Sequence, residues 1–256
     1  MKLYLIIINF CFVLTAIGQR APEGSPTIPF EQQKKIWLEN IEHQKYDSFD
    51  LTPENLKTEF LHYDFSTLFI PKQEFLGIIG TDYQRIKIYF TSVNKNSADE
   101  AQYDVKGISV VKNNKCDFKG TVRISQIRKY KQVQMGVDSS WKDAQLKAEG
   151  ILVGDYEFKE DSAKVHSGIF SGIMMLFWYV DKFGILHFDD IESSVSDGYC
   201  NDLYAGTWKD YRNVETKVCN WGMYRIPFSG DLDIGAAEFS PDKKYKDKGW
   251  TDLVFE

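Results

Sequence analysis

The sequence predicts a mainly β protein: an antiparallel meander that closes into a barrel or a strongly curved sandwich, covered by one N-terminal α-helix. Three observations carry this. Apolar and polar residues alternate with a period of two over many short segments after about residue 85. Glycine recurs mid-strand between large apolar neighbours two residues away, as in Phe118-x-Gly120-x-Val122, Leu152-x-Gly154-x-Tyr156 and Tyr204-x-Gly206-x-Trp208. A single amphipathic helical pattern precedes the meander. Inward glycines weaken flat strands but let a sheet bend, so their repetition favours curvature or closure.

Taken in chain order, residues 1–18 read as a signal peptide. Lys2 supplies the positive start, Leu3 to Ile17 the apolar run, and Ala16-Ile17-Gly18 the small-residue cleavage pattern, which places Gln19 at the mature N-terminus. The chain is therefore expected to be exported, periplasmic or extracellular, with no integral membrane segment after cleavage. Residues 19–29 contain Pro22, Pro26 and Pro29 and suit a flexible linker. Residues 30–62 form a helical segment that packs on the sheet. Phe30, Trp37, Leu38 and Ile41 fall on one helical face, and Thr52-Pro53-Glu54-Asn55 reads as the start of a short helix reaching about Phe60.

Residues 63–256 are read as one β domain. Ile86, Ile88 and Phe90 alternate with Arg85, Lys87 and Tyr89, and similar segments follow at about 102–112, 117–127, 149–159, 165–181, 203–211 and 216–226. The run from Ile173 to Val180 is apolar on both faces, so something must cover its outer side. The Phe30, Trp37 and Ile41 face is the only large apolar helical surface available for this.

Composition bounds the function. A 256-residue chain that is 43% hydrophobic and 27% charged is a folding globular protein. Its net charge of −6 leaves no general attraction to polyphosphate, so nucleic acid is not expected as a partner. Cys116, Cys200 and Cys219 lie beyond the cleavage point, and Cys200 with Cys219 are the expected disulfide, each bordering a strand and close in sequence. Short-spaced metal ligand pairs such as C-x-x-C are absent, and His43, His62, His166 and His187 are scattered, so neither metal nor cofactor is implied. Nucleophile elbows, phosphate loops and zinc-protease helices are also absent from the sequence.

Gly206-Thr207-Trp208 resembles the G-x-W of lipocalins, whose barrels hold small apolar ligands. The resemblance covers three residues. In lipocalins the motif opens the first barrel strand, whereas only 48 residues follow Trp208 here. The chain is thus calycin- or lipocalin-like at the level of pattern only. Candidate ligand-binding residues are Trp208, Trp221 and Tyr204, since aromatic rings line cavities and stack on sugars. Candidate catalytic carboxylates are Asp189, Asp231 and Asp233. His187-x-Asp189 sets an imidazole and a carboxylate on one face of a strand, and Asp231 and Asp233 share a face if extended. Two hard oxygen ligands also suit Ca²⁺, but Gly235 and Ala236 depart from the EF-hand loop, so a capped turn is the expected role. The functional expectation is a non-catalytic binding or structural module for a small apolar ligand or a glycan; the alternative is a secreted glycan hydrolase using paired carboxylates.

Overall fold

The structure is a computed structural model in which residues 21–46, 49–136, 139–194, 196–213 and 215–254 are described. The expected signal peptide and the cleavage point before Gln19 lie outside these residues. The chain enters through helix α1 (Phe30–Glu42), a short hairpin of β1 (Lys45–Tyr46) and β2 (Phe49–Asp50), and the one-turn helix α2 (Lys57–Phe60). Then follow β3 (Leu76–Ile79), β4 (Gln84–Lys95), β5 (Gln102–Val111), β6 (Asn114–Lys129), β7 (Ala148–Glu160), β8 (Gly168–Val180), β9 (Leu186–Phe188), β10 (Asn201–Asp210) and β11 (Thr216–Met223).

Every pairing is antiparallel. β3 to β8 form a continuous meander, β8 also pairs with β10, β10 with β11, and β11 returns to β3. Eight strands therefore close into a barrel, and β9 is an extra strand on the far end of β8. Closure removes the unpaired edges that an open sheet of this length would expose. It also resolves the barrel-or-sandwich alternative in favour of the barrel.

The interior is an aromatic core. Phe90 meets Phe75, Phe158 and Tyr204 edge-on at 5.5, 5.5 and 5.7 Å, while Phe118 stacks on Phe158 at 5.2 Å and Tyr204 on Trp221 at 4.8 Å. Such large rings fit because glycine stands opposite them. At Gly206, which pairs with Gly172 across the β8–β10 seam, an added Cβ would collide with the Tyr156 hydroxyl and the Ser171 carbonyl.

The outer face of β7, β8 and β10 is covered as the apolar run requires. Trp37 and Ile41 of α1 pack with Ile151, Val153, Ile173, Met175 and Phe177, and Phe30 joins the rim of this cluster. A buried polar pair fixes the helix: Asn220 donates to the Gln33 side-chain carbonyl at 3.1 Å, and Gln33 donates to the Ile28 carbonyl at 2.8 Å. On the opposite wall the C-terminal segment covers Ile78 and Tyr83 with Leu232 and Trp250, whose indole N–H donates to the Tyr83 carbonyl at 2.9 Å.

Two expectations are corrected. No disulfide links Cys200 and Cys219, because Cys219 points into the barrel core whereas Cys200 belongs to the outer cluster beneath α1. The barrel wall stands between the two thiols. The second helix starts at Lys57 rather than near Pro53, since Thr52 instead donates its N–H to the Lys129 carbonyl at 2.8 Å. The Asn55 side chain then accepts from both Lys57 N and Ile127 N at 3.1 Å, tying the start of the helix to β6.

Candidate functional site

The two ends of the barrel differ. At one end α2 and the loop after it press Phe60, Phe65, Leu68 and Phe69 into the core, with Phe60 4.8 Å from Trp178 and Phe69 5.1 Å from Tyr103. That end is stoppered. At the other end the β3–β4, β5–β6, β7–β8 and β10–β11 hairpin turns surround an open mouth, a cleft of about 550 Å³ lined by Ile79, Val111, Phe170, Trp208 and a polar rim.

The mouth is organised by Glu160, the last residue of β7. Tyr156 and Phe158 point inward, so the two-residue period turns Glu160 inward as well, and it is 6% exposed. A buried carboxylate requires donors. Its Oε2 accepts the Gly168 N–H at 2.7 Å and the Trp208 indole N–H at 2.9 Å, and its Oε1 accepts the Ser109 hydroxyl. Strands β5, β7, β8 and β10 are thereby pinned together, and the Trp208 ring is held in one orientation at the floor. Lys217 Nζ stands 5.9 Å from the centre of that ring.

The rim mixes signs. Asp82, Asp210 and Glu215 share it with Lys112 and Lys217, with the His166 ring and the amides of Asn113 and Asn114 completing the lining. Asn114 donates to the His166 carbonyl at 3.0 Å, bracing one turn against another. The Asn213 and Arg212 backbone amides hold the Asp210 carboxyl below its ordinary value, so it is an acceptor at neutral pH. Cys116 is buried beside this end, and burial followed by the Glu160 charge pushes its thiol up.

Of the sequence-derived candidates, Trp208 lines the mouth. Tyr204 and Trp221 lie deeper, stacked on each other and fully buried in the core. The three candidate carboxylates occupy different networks. Asp231 accepts from Lys244 at 2.6 Å and from the Tyr245 hydroxyl at 2.8 Å, and these bonds hold its carboxyl well below the usual range. Asp233 accepts from Arg225 at 2.5 Å and from the amides of Gly235 and Ser240. Asp233 thus caps a turn through backbone amides, whereas Asp231 is held by two side chains of the segment 244–245. His187 engages Asp181 at 2.9 Å and stacks on Tyr179 rather than pairing with Asp189.

Asp189 is instead sealed beneath the segment after β9, where it is 1% exposed beside Glu149 and Glu192. Burial, then the charge of Asp189, pushes Glu149 far up and Glu192 up to about 7. Tyr199 and Asn201 donate to the Asp189 carbonyl at 2.6 and 3.0 Å, locking the segment down. A second cleft of about 480 Å³ lies beside this segment. There Arg225 donates to Asp233 and to the carbonyls of Asp197, Gly235 and Ala237, which makes it a clamp between loops.

Glu160, Ser109 and the rim were not singled out from the sequence. The available signal was an inward period that ends on a charge, Tyr156-x-Phe158-x-Glu160, since a carboxylate on the core face of a strand end marks a mouth or a site. The class defined by these features is a closed eight-stranded antiparallel barrel with one stoppered end and one polar, aromatic-floored mouth. No known protein family, no curated protein and no solved structure matches the chain.

Proposed function

We propose that the protein is an exported binding module whose barrel mouth takes a small polyhydroxylated, glycan-like ligand. The observation that carries this reading is the mouth itself: a cleft of about 550 Å³ with a fixed Trp208 and Phe170 at its floor and a rim of hydrogen-bonding groups of both signs. An aromatic floor suits the C–H face of a sugar ring, and carboxylate, amide and ammonium groups suit its hydroxyls. The aromatic filling of the deeper barrel favours this over a fully apolar ligand seated along the axis, because rings already occupy that space. The apolar N-terminal sequence supports export.

Binding of neutral oligosaccharides displayed on an array, followed by titration calorimetry of any hit, tests the reading. Trp208→Ala and Asp210→Asn are expected to weaken the hit by about tenfold or more, the loss of a central aromatic or a charged hydrogen bond. Binding that survives both changes, or no binding to any sugar, overturns it. Cleavage of a bound glycan by the protein would move the hydrolase alternative ahead.

A further inference from the structure

The turn joining β8 to β9 projects from the end of the barrel opposite the mouth and carries Phe183 and Ile185, which are 74% and 56% exposed. It is a built turn. Asp181 Oδ1 accepts the N–H groups of Phe183 and Ile185 at 2.8 and 2.9 Å, Asp181 N donates to the Ile185 carbonyl at 3.0 Å, and Gly184 takes a φ of +84° that side chains resist. Two large apolar side chains are thus held out in water by a rigid scaffold, which folding does not require.

Amphipathic rings stand behind this apex. Trp141 meets Tyr179 edge-on at 5.8 Å, and Tyr179 stacks on His187 at 4.8 Å. Three exposed lysines surround it: Lys182, whose Nζ is 5.4 Å from the Phe183 ring centre; Lys147, 3.7 Å from where a Gly184 Cβ would lie; and Lys142, next to Trp141. Among the described residues none of the three forms an ion pair, whereas Lys34, Lys72, Lys87, Lys159, Lys244 and Lys248 elsewhere do. Nearby Asp181 is committed to the turn and to His187. With Asp143 beside Lys142 and the Asp181 carboxylate counted, three cations still outnumber two anions, so a locally positive apex stands on a chain of net charge −6.

We propose that this apex docks the protein peripherally on an anionic lipid surface, with Phe183 and Ile185 entering the headgroup region and Lys142, Lys147 and Lys182 lying against lipid charges. A narrow convex apex with unneutralised cations fits a fluid anionic interface, which closes around it, better than a flat protein face. Aromatic rings with polar edges are suited to the level just above the acyl chains. In this orientation the barrel mouth faces away from the membrane.

Co-sedimentation of the mature full-length chain with phosphatidylcholine vesicles, with and without phosphatidylglycerol, tests the proposal. Sedimentation is expected with the anionic vesicles only, and to weaken as salt rises toward a Debye length of about 3 Å. The double variant Phe183→Ser/Ile185→Ser and the double variant Lys147→Glu/Lys182→Glu are each expected to cut partitioning about tenfold or more while the thermal midpoint stays unchanged, since all four side chains are exposed. Lys159→Glu, away from the apex, should leave binding unaltered. No binding to anionic vesicles at low salt, or equal binding by both double variants, overturns the proposal. So does concentration-dependent self-association abolished by Phe183→Ser/Ile185→Ser, which would assign the apex to a second copy of this chain.

Discussion

Asp233 illustrates how a residue drawn from a sequence pattern acquires its role from long-range partners. Its carboxylate closes a ring of contacts with Arg225, Gly235 N and Ser240 N, and both members of the ion pair are largely shielded, at 12% and 9% side-chain exposure. Removing one member of such a pair leaves the other charge poorly solvated, so Asp233→Ala is expected to cost about 3 kcal/mol in a urea titration. Addition of EDTA or millimolar Ca²⁺ should leave the melting curve in place, because the oxygens that would bind metal already accept hydrogen bonds. A calcium-dependent rise in midpoint would mean that the carboxylates can be recruited from these partners. The Asp-Gly pattern of residues 230–235 made the turn legible, but Arg225 was not, since no local rule predicts which distant cation will reach it.

Elements were more legible than contacts. Alternation located seven of the eight barrel strands because a wall with a packed interior forces a two-residue period; the four-residue β3 is too short to show one, and the Phe30–Ile41 stripe located α1 for the corresponding helical reason. Boundaries moved where the backbone leaves the β region. β8 begins at Gly168 rather than near 165 because His166 adopts a φ of +53°, and β10 starts with a register shift between Asn201 and Tyr204 where Asp202 has a φ of +48°. The mid-strand glycines marked curvature correctly, and their cost can be measured. Gly206→Val would drive two methyl groups into the Tyr156 hydroxyl and the opposite backbone, an overpacking loss of about 1–3 kcal/mol or more. Thr207→Ala on the other face should cost far less. Equal denaturant midpoints for the two variants would show that the seam relaxes freely.

At the scale of the whole molecule, the barrel carries two populations of carboxylates with opposite linkage to pH. Asp82, Asp99, Asp181 and Asp231 are held below their ordinary values by bonds to cations and amides, so what they contribute is lost only in acid. Glu149 and Glu192 behave in the reverse sense. Glu149 belongs to the wall strand β7, Asp189 and Glu192 to the segment after β9, and Tyr130, Tyr199 and Cys200 close the pocket around them without supplying a cation. In the unfolded chain these glutamates ionise near 4.5, whereas in the fold burial and mutual repulsion raise them, Glu192 to about 7 and Glu149 further. The folded state therefore favours their protonated forms, and this contribution is complete at low pH and falls away as pH rises from about 4.5 through neutrality. The thermal midpoint should decline between about pH 5 and about pH 8, with the segment 186–200 gaining hydrogen exchange first, because two of the three carboxyls, Asp189 and Glu192, lie in it. Glu149→Gln and Glu192→Gln keep the shape and remove the titration, so together they should flatten the decline. A midpoint that rises over this range, or a decline untouched by the double substitution, would mean that the three carboxyls are stabilised as anions by groups other than those that enclose them.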